Sequence, residues 1–300
     1  MPHALEAHQT TKYYGKIRGV EALNLQVNVG EVFGFVGPNG AGKTTTIRLA
    51  LGLINPTQGS LQVLGLDSQH DSREVHRRTG YLPAELRMYD ELTGMEMLTY
   101  SANLRGGVAW SFVEDLKEQL SAELSRPIRT LSTGNRHKLG IINAMMHRPE
   151  LLILDEPTAG LDPLVQQEFY RLIAQVKTEG RTVFLSSHNL PEVEKICDRV
   201  GIIRYGQLAT VESVESLKSK ALHHLELRFS KPVPPEAFSA ITGITNLTIQ
   251  DCSLTCSITG TMGPLIKIAS QFDVIELTSQ EPSIEEAFLA YFQEDPPYAS

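Results

Sequence analysis

The sequence predicts an α/β fold, in which a buried sheet carries a phosphate-binding loop, followed by a smaller α+β domain. Three observations support this fold class. An apolar run at 32–36 precedes a glycine-rich loop and a helical pattern at 45–53, as expected of a strand buried on both faces of a parallel sheet. Two further apolar runs, at 151–154 and 182–185, end in polar residues. After about residue 218 the composition changes and short alternating segments follow.

Length and composition limit the possible function classes. The 300 residues exceed what one hydrophobic core usually serves, so we predict domains at 1–218 and 219–300. The net charge of -8 argues against a nucleic-acid partner, because such proteins concentrate positive charge. No apolar run approaches the roughly 18 residues that cross a bilayer. The N-terminus shows no leader sequence and the three cysteines give no even disulfide framework, which predicts a cytoplasmic chain.

The first segments of the chain are predicted to form an antiparallel sheet at the edge of the core. Residues 4–8 and 20–29 read as its strands, because apolar and polar residues alternate in the second of them. Tyr14 lies between these strands, upstream of the glycine-rich loop. Its ring could stack on a purine or cover the edge of the sheet, and the residues alone favour neither interpretation.

The glycine-rich loop at 37–45 reads Gly-Pro-Asn-Gly-Ala-Gly-Lys-Thr-Thr and fits a phosphate-binding pattern. Because its glycines lack a Cβ atom, the backbone can curl and turn its N–H groups towards an anion at the positive end of the next helix. Lys43 would place a charge near the β- and γ-phosphates, Thr44 would help to hold Mg²⁺, and Thr45 could donate to the α-phosphate. A glycine-rich turn without a ligand does not explain the strand before the loop and the helix after it. The predicted nucleotide-binding residues of the loop are Gly37, Pro38, Asn39, Gly40, Ala41, Gly42, Lys43, Thr44 and Thr45.

The segment before the second apolar run is predicted to be a helical insertion at about 85–148. Residues 80–83, Gly-Tyr-Leu-Pro, are predicted to be a change of direction before it. A capping box, Thr-Gly-Met-Glu, starts a helix at 94–104, and apolar residues at helical spacing predict another at 110–120.

A second possible anion site begins the last helix of this insertion. Ser132 is a good N-cap for a helix that is stopped by Pro149. On its own this is a capped helix with a structural role. Ser132 and Gly134 also leave an open, donor-rich helix start, which suits an anion. One chain has little use for two unrelated phosphate sites unless two copies pair.

Polar residues follow both later apolar runs. Ligands of open α/β sheets bind at the carboxyl ends of strands, so Asp155 is predicted to hold Mg²⁺ and Glu156 to act on the water that attacks the γ-phosphate. An N-cap or a solvated loop is the alternative for this acidic pair. His188 ends the neighbouring strand and could reach the γ-phosphate, or it could simply be a hydrogen-bonded residue. The predicted catalytic residues are Lys43, Glu156 and His188.

The C-terminal domain is predicted to be a small split-βαβ sandwich, a ferredoxin-like fold with the order β-α-β-β-α-β-α. Its last helix is predicted at 283–292, after a capping box. Cys252 and Cys256 are predicted on one face of a strand, and core thiols are favoured over a metal site because no second Cys/His pair accompanies them. The domain shows no recognisable chemistry, so we expect a regulatory or dimer-supporting module.

As a set, these motifs resemble those of the ATP-binding subunits of ATP-binding-cassette (ABC) transporters, over about residues 4–215. The loop at 37–45 matches the family's phosphate loop, 131–135 is similar to its signature sequence, and 151–156 matches its metal-and-base strand. The resemblance implies a P-loop NTPase (RecA-like) core with an antiparallel edge sheet and a helical insertion. It also implies ATP and Mg²⁺ as cofactors.

The resemblance assigns further residues. It implies adenine stacking at Tyr14, a D-loop that ends at Asp162 and touches nucleotide, and a switch histidine at His188. Ser132 and Gly134 would face phosphate. The tail at 281–288 is similar to that of the exporter branch, which includes drug- and antibiotic-efflux ATPases.

The sequence departs from the family pattern at two places. The family usually has Gln or Glu at the position of Ala84, and alanine cannot bind Mg²⁺ or orient water. Either the neighbouring Glu85 takes over as a metal ligand or hydrolysis is slowed. The signature has Thr133 and Asn135 where Gly and Gln are more usual.

The family implies a head-to-tail homodimer with two ATP molecules between the chains, on the inner face of the cell membrane. A separate multi-span permease would contact the helical insertion and residues 84–92. A non-transport ABC ATPase that acts on ribosomes or DNA is the alternative, although such proteins usually carry two cassettes, coiled coils or zinc cysteines. A small-molecule kinase would not need Ser132 or His188.

Overall fold

The chain forms two compact units, residues 1–211 and 212–300, whereas the predicted boundary follows residue 218. The computed structural model describes residues 3–220, 223–239, 241, 243–258, 261–280, 284–285 and 288.

The strands and helices are numbered in chain order. The strands are β1 (His3–Tyr14), β2 (Ile17–Asn28), β3 (Val32–Val36), β4 (Gln58–Val63), β5 (Leu66–Asp67), β6 (Thr79–Leu82), β7 (Leu151–Asp155), β8 (Thr182–Ser187), β9 (Arg199–Arg204), β10 (Gln207–Ser213), β11 (His223–Phe229), β12 (Ile244–Gln250), β13 (Ser253–Ile258) and β14 (Val274–Gln280). The helices are α1 (Lys43–Ala50), α2 (Ser72–Arg78), α3 (Gly94–Leu104), α4 (Trp110–Gln119), α5 (Thr133–Met145), α6 (Pro163–Thr178), α7 (Leu190–Ile196), α8 (Val214–Lys220), α9 (Glu236–Ser239) and α10 (Gly263–Ala269). In the part of the chain that the structure describes, none of these helices has the length and apolar character to cross a membrane.

The larger sheet of the first unit has the strand order β10-β9-β3-β8-β7-β6. β3 pairs in parallel with β8 and β9, and β7 pairs in parallel with β6 and β8. Every residue of β3, β7 and β8 is buried, which explains why these segments read as apolar runs. Because parallel strands end at the same edge of a sheet, the residues that follow these three strands lie together.

The smaller sheet is antiparallel, in the order β2-β1-β4-β5, and covers one face of the larger sheet. Leu5 from β1 and Leu23 from β2 share one core with residues of the larger sheet. In that core the ring centroid of Phe184 lies 5.9 Å from that of Phe33 and 5.5 Å from that of Phe35. Each fully buried side chain of this size contributes roughly 1.5–3 kcal/mol to folding.

The helices between β6 and β7 form the predicted insertion. α3 begins at the predicted capping box: the Glu96 N–H donates to Thr93 Oγ1 over 3.2 Å, and the Thr93 N–H donates to Glu96 Oε2 over 2.8 Å. α5 contacts both α3 and α4, and it packs on β6. The insertion is therefore attached to the parallel sheet through α5.

The prediction of a change of direction at 80–83 is wrong, because 79–82 is the edge strand β6. Gly80 suggested a turn, but its role is close packing: a Cβ atom there would lie 2.1 Å from the Ala144 carbonyl oxygen of α5. Tertiary packing therefore explains the glycine. Helices α6 and α7 were not predicted from the sequence. Each nevertheless begins at a side-chain N-cap, Asp162 for α6 and Asn189 for α7.

The second unit has the predicted ferredoxin-like topology. After α8, its elements follow the order β11-α9-β12-β13-α10-β14, and its sheet has the order β12-β13-β11-β14 with antiparallel pairs. Phe229, Phe238 and Phe272 form its aromatic core, with ring centroids 5.8–6.1 Å apart. This unit therefore has a hydrophobic core of its own.

Of two further predictions for this unit, one falls mostly on residues that the structure does not describe and the other is wrong. The helix predicted at 283–292 lies largely outside the described residues. Cys252 is not on the strand with Cys256: it lies in the turn before β13, half-buried, whereas Cys256 is buried within β13. The turn at 251–252 interrupts the alternation that suggested one continuous strand.

Candidate functional site

The glycine-rich loop follows β3 and leads directly into α1. Gly42 is the N-cap of α1 and has a φ of +111°, a conformation that residues with a side chain rarely adopt. A Cβ atom on Gly42 would lie 2.6 Å from the Gly19 carbonyl oxygen, and one on Gly37 would lie 2.2 Å from that of Ile203. Both positions therefore require glycine because neighbouring backbone approaches the loop closely.

Lys43 places its ammonium group between the loop and Glu156. Its Nζ atom donates to the carbonyl oxygens of Gly37 (2.6 Å) and Pro38 (3.3 Å). The same atom lies 3.4 Å from Glu156 Oε1, and the Lys43 side chain is only 7% exposed. A buried lysine in this position supplies positive charge at the end of β7.

Asp155, at the end of β7, is 1% exposed and accepts two hydrogen bonds. Thr44 Oγ1 donates to its Oδ2 over 2.9 Å, and Ser186 Oγ of β8 donates to its Oδ1. The fold thus joins the predicted pair Thr44 and Asp155, and adds Ser186, which the sequence did not indicate. Adjacent hydroxyl and carboxylate oxygens are the ligand type that Mg²⁺ prefers.

Glu156 and His188 meet across the ends of β7 and β8. His188 Nδ1 lies 2.8 Å from Glu156 Oε2, within hydrogen-bond distance. Glu156 has a φ of +52°, uncommon for a residue other than glycine. Its N–H donates to the Ser186 carbonyl oxygen over 3.1 Å, which holds the backbone in this turn. Non-glycine residues held at positive φ cluster at functional sites.

A cavity of about 390 Å³ lies over the loop. Tyr14, Ala84 and Glu156 line it together with the loop residues, so the fold brings the predicted aromatic residue to the loop. The Tyr14 ring is 43% exposed. Gly19 and Arg18 also line the cavity; the sequence gave no indication of them because they belong to a strand rather than a motif.

The structure does not bring Glu85 to this cavity. Its side chain is 88% exposed, and its carboxylate lies 3.9 Å from the Arg87 guanidinium. Ala84 alone of this pair faces the loop.

Ser132 caps α5 as predicted, since its Oγ accepts from the Asn135 N–H over 3.2 Å. Asn135 fastens this helix start to the preceding segment: its Oδ1 accepts from the Glu123 N–H (2.8 Å) and its Nδ2 donates to the Glu123 carbonyl oxygen (2.6 Å). Neither Ser132 nor Gly134 lines the cavity of its own chain.

Asp162 also lies outside the cavity and caps α6. Its Oδ1 accepts from the N–H groups of Leu164 (3.1 Å) and Val165 (3.0 Å).

Two buried polar residues near the site were not predicted. His137 of α5 is 4% exposed, contacts the Pro157 carbonyl oxygen through Nε2, and has a pKa lowered by burial. Glu192 of α7 is 2% exposed and accepts from Ser187 Oγ over 2.8 Å. A histidine or carboxylate in a helix reads as a solvated residue, so the sequence contains no signal for either.

The chain is similar to known ATP-binding proteins in sequence and in structure. The family model described as ABC transporter matches residues 20–159. The chain is 35% identical to the bacitracin transport ATP-binding protein BcrA of Bacillus licheniformis, over 96% of this chain and 97% of the relative. It is 30% identical to the linearmycin resistance ATP-binding protein LnrL of Bacillus subtilis (strain 168), over 95% of this chain and 97% of the relative.

Among solved structures, the ATP-binding subunit of an ABC transporter superposes with a TM-score of 0.67 at 28% identity, over 72% of this chain and 92% of that subunit. The phosphate loop, the acidic strand end and the strand-end histidine meet in one site, and two relatives match nearly the whole chain. The chain therefore belongs to the ATP-binding subunits of ABC transporters, which bind and hydrolyse ATP.

Proposed function

We propose that two copies of this chain pair head to tail on the inner face of the cell membrane and drive export through a separate multi-span permease. Each ATP would lie between the phosphate loop of one copy and the Ser132 helix start of the other. One observation carries this proposal: the helix start at Ser132 suits an anion but does not line the cavity over the loop at 37–45. Pairing gives the second helix start a ligand.

The contacts within the site support specific roles. Lys43 would bind phosphate oxygens and Tyr14 would stack on adenine. Thr44 and Asp155 would hold Mg²⁺, since their oxygens lie 2.9 Å apart. Bound Mg²⁺ would neutralise charge on the phosphates.

Glu156 is placed to accept a proton from the attacking water, with its carboxylate held by His188 over 2.8 Å. The fit of Ser132, Gly134 and Asp162 to nucleotide depends on the second copy.

The names of the relatives support an antibiotic as cargo. One is named for bacitracin transport and the other for linearmycin resistance, and both align with nearly the whole chain. We therefore propose that the cargo is an antibiotic and that the direction of transport is export.

We propose that the permease contacts the surface around α3 and the neighbouring α2. A groove of about 760 Å³ lies between α2, α3 and α5, and Ser101 and Leu104 line its α3 side. Tyr100 of α3 and Tyr89 are both exposed, and their rings pack edge to face with centroids 5.8 Å apart. Exposed aromatic groups suit contact with a partner helix.

Co-purification tests this function. We expect the full-length chain, extracted from membranes in mild detergent, to retain a multi-span membrane protein. Replacing both Tyr89 and Tyr100 by alanine should release that protein without loss of ATP binding. Tyr205→Ala is the matched control, because Tyr205 is 55% exposed on the turn between β9 and β10. Recovery with ribosomes or nucleic acid instead of a membrane protein would contradict the proposal and favour a non-transport ATPase.

A further inference from the structure

Glu192 is a buried carboxyl group beside the site that has no part in the roles proposed above. It lies in α7, shortly after His188 in the chain, and is 2% exposed. Buried carboxyl groups are uncommon because burial disfavours their charged form. The position of this group therefore calls for a specific explanation.

The contacts of Glu192 reach both chain neighbours of His188. Ser187 Oγ donates to Glu192 Oε2 over 2.8 Å and accepts from the Asn189 N–H over 2.9 Å. The Glu192 N–H in turn donates to Asn189 Oδ1 over 3.4 Å. The Glu192 carboxylate is thus linked through the Ser187 hydroxyl to the backbone N–H of Asn189, which follows His188, and the His188 ring contacts Glu156.

The surroundings make Glu192 titratable near neutral pH. Burial raises the pKa of Glu192 to about 7, and the hydroxyl groups of Ser187 and Thr158 offset part of this rise. The Glu156 carboxylate raises the pKa further and His188 lowers it. Two more titratable groups face it, Tyr170 from α6 and Cys197 at the end of α7. Burial raises the pKa of each, and the Glu192 carboxylate raises it further.

We propose that Glu192 is a positioning residue for ATP hydrolysis, which sets the contact between His188 and Glu156 and makes it depend on pH. The inference rests on the catalytic roles proposed for those two residues. An ionised Glu192 accepts the Ser187 hydrogen bond more strongly than a neutral one does. Ionisation of Glu192 thus increases turnover.

The test is the pH profile of ATP hydrolysis by the full-length chain between about pH 6 and pH 9. We expect wild-type kcat to rise roughly twofold to tenfold with an inflection near pH 7, as a strengthened hydrogen bond allows. Glu192→Gln keeps the shape of the side chain but cannot ionise, so its kcat should lack the inflection, with KM for ATP unchanged. Glu194→Gln, on the same helix, should retain the wild-type profile.

A Glu192→Gln profile with the wild-type inflection would overturn the proposal, because a merely structural role does not depend on ionisation. If Glu192→Gln does not fold, Ser187→Ala provides the test, because it keeps Glu192 but removes the hydrogen bond that links Glu192 to the segment around His188. A pH inflection that persists in Ser187→Ala would also overturn the proposal. Glu156→Gln separates this inference from the proposed function. Full turnover in Glu156→Gln would refute the catalytic roles themselves. An inactive Glu156→Gln beside an unchanged Glu192→Gln profile would refute only the role of Glu192.

Discussion

The proposed mechanism of ATP hydrolysis depends on Glu156. This residue leaves β7 in a left-handed turn, and its two carboxylate oxygens contact Lys43 and His188. An acceptor held between a cation and an imidazole, at the rim of the loop cavity, is placed to take a proton from water. The neighbouring Asp155 is instead hydrogen-bonded to Thr44 and buried. The two adjacent carboxylates thus have different surroundings, which supports different roles.

Replacing Glu156, the proposed general base, should block ATP hydrolysis without preventing ATP binding. We expect Glu156→Gln to lower kcat by about 10²- to 10⁴-fold, the usual cost of losing a general base, while ATP affinity stays within the range of the wild type. ATP hydrolysis and equilibrium nucleotide binding measure the two effects. Glu168→Gln makes the same change at a half-buried position on α6, where the carboxylate pairs with Arg171, and should leave both unaltered. Wild-type turnover in Glu156→Gln would show that another residue is the base.

Ala84 leaves space at the rim of the cavity where relatives of this family usually carry an amide. Since Ala84 lines the cavity and Glu85 is 88% exposed, we expect Ala84→Gln to raise ATP hydrolysis about fivefold, the effect of one added hydrogen bond to water or metal. If Glu85 substitutes for the missing group, Ala84→Gln would have no effect and Glu85→Gln would lower the rate. Steady-state hydrolysis by the two variants distinguishes these outcomes.

The sequence predicted the residues of the site that belong to motifs, including Lys43 and Asp155. It did not predict Ser186 or Glu192, because their contacts arise only when β8 and α7 pack beside β7. A serine at the end of a strand has no pattern that distinguishes it from a solvated residue. For Glu85, adjacency in sequence suggested a metal ligand, but its side chain is 88% exposed and does not line the cavity, so that role stays a prediction.

Among the elements, α5 depends on a side-chain clamp at its start. Asn135 makes two hydrogen bonds to the backbone of Glu123, so the helix start that carries Ser132 is fixed to the segment after α4. The departure from the family's usual Gln thus retains an amide that can hold this segment. A mobile start would weaken any contact of Ser132 with phosphate in a second copy.

Removing this clamp should therefore loosen α5. We expect Asn135→Ala to lower the free energy of unfolding by about 1–2 kcal/mol, the net value of two hydrogen bonds near the surface. The variant should also weaken the ATP-dependent pairing of two copies. Urea unfolding and sedimentation with ATP are the measurements. Asn103→Ala, on the exposed side of α3, is the control, and equal behaviour of the two variants would contradict the role of the clamp.

Strand positions were easier to predict than strand order. β3, β7 and β8 are apolar because both of their faces are buried, and this shows in the sequence. Their order, with β3 between β9 and β8, depends on pairing between distant segments and has no local signal. β6 shows why local signals mislead: its glycine serves the close approach of α5, yet it resembles a turn residue.

At the scale of the whole molecule, the distribution of anion sites is the main observation. One chain builds a complete cradle for phosphate at 37–45 and a second capped helix start at Ser132, which does not line that cavity. Ser132 caps α5 within its own chain, and pairing of two copies would give this helix start a ligand as well. The C-terminal unit has a hydrophobic core of its own, and a role in regulation or pairing stays a prediction.

The most direct test of head-to-tail pairing is a structure of the full-length Glu156→Gln chain with Mg-ATP, because slow hydrolysis should preserve the nucleotide-loaded state. The account predicts two copies with ATP between them, and the Ser132 side chain of each within hydrogen-bond distance of the γ-phosphate bound at Lys43 of the other. A nucleotide-loaded assembly in which Ser132 lies far from every γ-phosphate would contradict it.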